Sequence, residues 1–179
     1  MEIKKKFILT IVLLSYLATA INGAIVITGL ENMAKDLDLN QSVLSWVQNS
    51  YVLAWGCFML LGGRLSDAFG RRGILNLSLL LFGIGSLFAG IATSATILIF
   101  SRFIQGVGAS ILAPTSLALI MDYFTGEERI KAIAWYSSIS GLGMCIGLVI
   151  GGTLASFFSW RYGSVSYTHL RAHETAANL

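Results

Sequence analysis

Five long apolar runs, separated by short polar segments, make up most of the chain. The runs cover approximately residues 7–30, 43–61, 74–92, 97–121 and 132–158. Because an α-helix rises about 1.5 Å per residue, runs of this length can cross the roughly 30 Å hydrocarbon core of a bilayer. They are too long for barrel strands of about ten residues. The pattern predicts an all-α polytopic membrane protein with five transmembrane helices.

The distribution of charge predicts how these helices are oriented. Charged residues make up 12% of the chain and hydrophobic residues 55%, whereas globular domains carry about 25% charge. The basic residues gather in segments that alternate helices would place on one side: Lys4, Lys5, Lys6, Arg64, Arg71, Arg72, Arg129 and Lys131. This bias predicts a cytoplasmic amino terminus. The net charge of +3 is therefore explained by topology, and no nucleic-acid partner is predicted.

A charged, glycine-punctuated segment, Gly62 to Arg72, separates the second and third runs. Glycines in it permit tight turns, and its arginines would hold it on the cytoplasmic face. Its pattern, G-x-L-S-D-x-x-G-R-R, resembles the loop between helices two and three of the major facilitator superfamily. The resemblance implies a cytoplasmic gate loop made of Gly63, Arg64, Asp67, Gly70, Arg71 and Arg72. The alternative is an ordinary positive-inside loop.

One full charge, Arg102, lies inside the fourth apolar run. A charge at membrane depth costs several kcal/mol, so it should face a partner or an aqueous cavity; snorkelling to the interface is the alternative. Gln105 and Gly106 lie three and four positions further on and share its helix face. The string from Arg102 to Ala109 resembles the fourth-helix pattern R-x-x-Q-G-x-G-A of the same superfamily. The resemblance implies a role in proton coupling for Arg102, Gln105 and Gly106.

Glycines recur at four-residue spacing in the fifth run. Gly143, Gly147 and Gly151 share one helix face, with Gly152 beside them, and such a face admits close approach of another helix. The run resembles the "antiporter" pattern G-x-x-x-G-P-x-x-G-G, except that Leu148 stands in place of proline. Generic helix packing is the alternative.

Three further residues are candidates for a substrate pocket. Tyr51 and Trp55 lie one helical turn apart in the second run, where their ring faces could contact an amphipathic or cationic ligand; packing is the alternative. Asn22 in the first run can form hydrogen bonds but cannot titrate. It is either a pocket residue or an interhelical hydrogen-bonding group.

The resemblance covers about residues 7–163, and it implies that residues 1–163 are the amino-terminal part of a transporter domain. The remaining residues, 164–179, are polar and resemble translated sequencing-adapter DNA, so we expect a non-native tail. The carboxy-terminal part of the transporter is then an expected partner that this chain lacks.

The family resemblance is strongest to the fourteen-helix drug–proton antiporters. It implies a multi-pass protein of the cell membrane that exports small or amphipathic compounds, with protons as the coupling ion. The alternatives are a metabolite or sugar transporter of the same fold and a truncated membrane fragment that does not transport. No nucleotide-binding loop, nucleophile–base pair or Cys/His cluster stands out in the sequence, so no enzyme activity, metal or cofactor is predicted.

Overall fold

The long apolar runs form α-helices in the computed structural model, which describes residues 2–157. The five helices are α1 (Glu2–Asp36), α2 (Gln41–Phe69), α3 (Arg71–Gly90), α4 (Ala95–Tyr123) and α5 (Gly126–Phe157). All five are long and apolar enough to cross a membrane. The fold class predicted from the sequence is confirmed. The predicted tail at residues 164–179 lies outside the described residues.

The helices extend into segments that were predicted to be loops. The segment from Gly62 to Arg72 is helical apart from Gly70, so the expected loop is wrong, and Gly70 is the glycine of this segment at which the chain turns. Likewise, α5 begins at Gly126 rather than near residue 132. Polar residues can continue a helix beyond the hydrocarbon core because water and headgroups solvate their side chains there, while the backbone keeps its own hydrogen bonds.

Gly70 alone joins α2 to α3. Its φ of +91° lies in a region that side-chain-bearing residues rarely adopt, since a Cβ would approach the backbone carbonyl. The reversal between two membrane-length helices is therefore made at a single residue. This junction lies at the same end of the bundle as the start of α1 and the α4–α5 junction. We call this end of the bundle the basic end.

Helix α4 is the centre of the bundle. Both α2 and α3 pack along it, and α1 packs mainly on α5. Two buried apolar clusters fill the space between the helices. One includes Val12, Phe82 and Leu112, and the other includes Met33 and Leu98.

Glycines allow α4 to approach its neighbours closely. A Cβ on Gly108 would lie 2.7 Å from the backbone nitrogen of Phe82 in α3, and one on Gly62 of α2 would lie 2.8 Å from the Cα of Ile111. Without a hydrophobic driving force between helices in lipid, such close backbone packing is a main source of association energy.

Helices α2 and α5 leave much of their apolar surface uncovered. Leu60 on α2 and Val149 on α5 are among the most exposed of the large apolar side chains described. Such faces suit lipid or another apolar helix surface.

Candidate functional site

A cleft of about 390 Å³ opens between α1, α2, α4 and α5. Its walls combine rings, aliphatic side chains and a few hydroxyl and amide groups. The lining residues are Tyr16, Thr19, Ala20, Gly23, Val26, Ile27, Gln48, Tyr51, Val52, Trp55, Arg102, Ala109, Leu112, Ala113, Ser140 and Met144. A mostly apolar wall with few polar groups is typical of sites for small molecules.

Arg102 lies at the inner wall of this cleft and is only 3% exposed. One of its guanidinium nitrogens donates to the Gln105 Oε1 at 2.6 Å, and the Gln105 Nε2 donates to the Ser86 Oγ at 2.8 Å. The side chain therefore does not snorkel to the interface. The face shared by Arg102 and Gln105, predicted from their spacing, is confirmed.

No carboxylate balances the charge of Arg102 among the described residues. The ion pairs found there all involve other cations, and the Arg102 Nε has no hydrogen-bond partner. Its other support is the ring of Tyr51, whose centroid is 4.3 Å from the guanidinium carbon. A cation over a ring face is attracted by the ring quadrupole, so the charge is held by dipoles and π-electrons.

The predicted pocket residues occupy different places. Tyr51 and Trp55 both line the cleft, together with Gln48 on the same helix. Asn22 does not line it. It is 3% exposed, and neither atom of its amide finds a hydrogen-bond partner within the described part of the chain.

A ring pair lies beside the cleft, and one of its rings, Tyr16, is part of the lining. Tyr16 of α1 stacks on Tyr136 of α5 with ring centroids 4.2 Å apart, and the Tyr136 hydroxyl donates to the carbonyl of Ala113 at 3.3 Å. This stack joins α1, α4 and α5. Neither tyrosine was predicted, because nothing in the sequence reveals which rings of distant helices meet.

The predicted gate-loop residues lie at the basic end, where Arg71 links three helices. Its guanidinium pairs with Asp122 at 2.6 Å and with Asp67 at 3.2 Å, and it also donates to the carbonyl of Ala118. Asp67 therefore pairs with Arg71 one helical turn away. Asp122 was not predicted as a partner, although it is the acidic residue at the end of α4.

Other contacts at the basic end join further elements. Arg72 donates to the Tyr123 hydroxyl at 2.9 Å, and Lys5 at the start of α1 pairs with Glu128 of α5 at 2.9 Å. Arg64 is exposed. Charged contacts thus connect the helix ends at this side of the bundle, beside a buried apolar cluster that includes Ile8, Ile120 and Phe124.

The glycine face of α5 packs against α1. A Cβ on Gly143 would lie 2.7 Å from the Cβ of Ala20, and one on Gly147 would lie 2.7 Å from the Cβ of Ala24. A Cβ on Gly151 would collide with the Thr28 hydroxyl oxygen, whereas one on Gly152 would meet nothing within 4 Å. Three of the four predicted glycines therefore form the contact.

Five membrane-length helices around a cleft that holds a buried arginine define a multi-pass helical membrane protein. The sequence profile described as Major Facilitator Superfamily matches residues 12–166. The chain therefore belongs to the major facilitator superfamily.

Several relatives are named for drug resistance or export. The chain is 41% identical over 155 residues to the puromycin resistance protein pur8 of Streptomyces alboniger, covering 86% of this chain and 31% of that protein. It is 34% identical to multidrug resistance protein 3 of Bacillus subtilis, covering 88% of this chain and 30% of that protein. It is also 32% identical to the riboflavin transporter RibZ of Clostridioides difficile, covering 88% of this chain and 34% of that protein.

A solved structure shows the same fold. The bacterial homolog of the human lysosomal transporter Spinster, in an inward-facing and unoccupied conformation, superposes with a TM-score of 0.76 at 21% identity, covering 84% of this chain and 32% of that chain. The chain thus spans about a third of the length of the relatives it matches.

Proposed function

We propose that this chain is the amino-terminal part of a secondary transporter that exports small amphipathic compounds in exchange for protons. The cleft between α1, α2, α4 and α5 would form one wall of the substrate pathway. Transporters of this kind place their sites near the midplane, between two halves that rock against each other.

The buried Arg102 is the observation that carries this proposal. A guanidinium is costly at membrane depth and is retained where it serves a function. Gln105 and Tyr51 support Arg102 without neutralising it. Its positive charge can therefore interact with a group that is charged in one step of the transport cycle and neutral in another. Arg102 would thereby couple the protonation state of the complete transporter to substrate binding, with Gln105 and Gly106 as its positioning neighbours.

The contacts at the basic end support a second part of the proposal. Arg71 holds the ends of α2 and α4 together through Asp67 and Asp122. Such a cluster of exposed pairs can be broken and re-formed at low cost. It would act as a latch that is remade in each transport cycle, and Gly143, Gly147 and Gly151 would allow α1 and α5 to move as a closely packed pair.

A metabolite is the second candidate substrate class. The similarity to a riboflavin transporter favours it, because that relative shares the same part of the fold. Uptake of radiolabelled riboflavin alongside the drug-like probes described below separates the two candidates.

Replacing Arg102 tests the coupling role. In the longer transporter that contains residues 1–163, we expect Arg102→Ala to reduce proton-driven uptake into inverted membrane vesicles on the order of tenfold or more, since alanine removes the one charge among the described residues that line the cleft, and charges at membrane depth serve function. Uptake of dansylamide, a small neutral amphiphile, is measured after a pH gradient is imposed, with and without a protonophore.

Lys35→Ala is the matched control, because Lys35 is an exposed cation in the last turn of α1. It should leave uptake at the level of the unmodified protein. Undiminished, protonophore-sensitive uptake by Arg102→Ala would contradict the coupling role. Vesicles with the longer transporter that accumulate neither dansyl probes nor riboflavin would contradict the export function, whereas the fragment interpretation predicts no uptake by the 179-residue chain alone in liposomes.

A further inference from the structure

We propose that the cleft selects flat amphipathic compounds that carry a negative charge, and that it disfavours lipophilic cations. The inference rests on the proposed function and specifies its substrate class. It departs from the cationic ligand that the rings of Tyr51 and Trp55 suggest when considered alone.

The charge of the lining is the first observation. Of the described side chains that line the cleft, Arg102 alone is charged. The acidic side chains that the structure describes lie near helix ends: Glu31, Asp36, Asp38, Asp67, Asp122, Glu127 and Glu128. From the described residues, a ligand in the cleft therefore experiences one close positive charge and no close negative one.

The second observation is that Arg102 has no counter-ion among the described residues. Its contact with Gln105 is to a neutral oxygen, and its Nε is buried without a partner within the described residues. A desolvated charge that lacks a counter-ion interacts strongly with any charge brought near it, because few water molecules screen the interaction. A carboxylate in the cleft would supply the missing counter-ion, and an ammonium group would be repelled.

The aromatic rings that line the cleft determine the preferred shape of the uncharged part of the ligand. The Tyr51 ring is over the guanidinium, so this cation already uses the π-electrons that a cationic ligand would need. Trp55 and Tyr16 provide further ring surface in the same cleft. Ring surface of this kind favours a flat aromatic body by stacking and burial of apolar area.

A matched panel of dansyl probes tests the inference directly. Dansylglycine is anionic, dansylamide is neutral and dansylcadaverine is cationic, while all share one fluorescent ring system. With the full 179-residue chain in lipid nanodiscs, we expect dansylglycine to bind on the order of tenfold more tightly than dansylcadaverine, with dansylamide between them, as for one poorly screened charge. Binding is measured from the probe's emission and from energy transfer from tryptophan.

Two variants in the cleft and one control outside it attribute the preference to the cleft. Arg102→Gln should bring the three affinities to within about twofold of one another, whereas Lys35→Gln, which removes an exposed cation outside the cleft, should leave the order unchanged. Ser140→Asp adds a carboxylate to the cleft wall without altering Arg102. It should shift the preference toward dansylcadaverine, and it keeps the test decisive if Arg102→Gln fails to fold.

Equal or tighter binding of the cation, or no binding of any probe, overturns the inference. Uptake of dansylcadaverine in preference to dansylglycine by vesicles that contain the longer transporter also overturns it, while the proposed export function stands. Anion-selective binding to the chain, with no uptake by those vesicles, leaves the selectivity of the cleft standing and overturns the export function.

Discussion

The Arg71 side chain connects the ends of α2, α3 and α4. It contacts an acid from α2, an acid from α4 and a carbonyl of α4, while itself belonging to the first turn of α3. Both carboxylates are at least half exposed, so each pair separately contributes only about 0.2–1 kcal/mol. The planar fork of arginine suits such shared contacts better than a lysine ammonium would.

The two acids around Arg71 should contribute unequally to stability. Asp122 is nearer and less exposed than Asp67. We expect Asp122→Asn to lower the free energy of unfolding by at most about 1 kcal/mol and Asp67→Asn by less. Thermal unfolding of the chain in detergent, at low and high salt, measures both effects.

The Arg71→Gln background is the control for these variants. There, Asp122→Asn should have little further effect if the two side chains act as a pair. A salt-independent loss, or an equal loss in the Arg71→Gln background, would show that Asp122 acts through other contacts.

At the residue scale, the sequence predicts contacts within a helix better than contacts between helices. Gln105 could be assigned to Arg102 because a spacing of three places both on one helix face. Ser86 and Tyr51 could not be assigned, because they come from α3 and α2 and no spacing along the chain gives their distance. The same limit explains why Asp122 was missed as a partner of Arg71.

At the scale of elements, the pairing of α1 with α5 depends on three glycines. Their four-residue spacing predicts one shared face, and the structure places that face against Ala20, Ala24 and Thr28 of α1. Gly152 falls beside this face, as its position one residue after Gly151 requires. The role of the glycine face in exchange remains a prediction.

Gly147→Ala should weaken the pairing of these helices. The added methyl would lie 2.7 Å from the Ala24 Cβ and 2.8 Å from the Ile21 Cα, so the helices must separate or shift. Overpacking of this kind costs about 1–3 kcal/mol. The unfolding temperature of the chain in detergent should fall.

Gly141→Ala is the matched control on the same helix. A Cβ there meets nothing within 4 Å, and alanine favours helix by about 1 kcal/mol relative to glycine. This variant should therefore be as stable as the parent or more so. Equal unfolding temperatures for the two variants would mean that α1 and α5 separate easily.

The ends of the helices were predicted less well than their existence. Hydropathy marks the part of a helix that lies in hydrocarbon, and it does not register the turns that continue beyond it. For this reason α2 was expected to end near residue 61, although it continues through Asp67 to Phe69. The break between α2 and α3, in contrast, falls at a residue type that favours one, because glycine adopts a positive φ more readily than other residues.

At the scale of the whole molecule, the number of helices and their membrane character followed from the sequence, whereas their arrangement did not. The central position of α4 and the pairing of α1 with α5 depend on how apolar surfaces match in space. The orientation of the bundle is a prediction from charge alone, with the amino terminus and the basic end on the cytoplasmic side.

Two threonines at opposite ends of the bundle test this orientation. Thr93 lies between α3 and α4, Thr125 lies between α4 and α5, and both are exposed. With Cys57 and Cys145 replaced by alanine, we expect Thr93→Cys to react with a membrane-impermeant maleimide in intact cells and Thr125→Cys to react only after lysis. The reverse labelling pattern would invert the topology.

The pairing of the first helix with the fifth has a consequence for biosynthesis. Translation proceeds at about 5–20 residues per second, so the partner of α1 leaves the ribosome on the order of ten seconds after α1 itself. During that interval α5 cannot yet cover the small-residue face of α1 around Ala20 and Ala24. Lipid or the insertion machinery must shelter it, and nascent chains stalled before α5 should be the forms most readily recognised by membrane quality control.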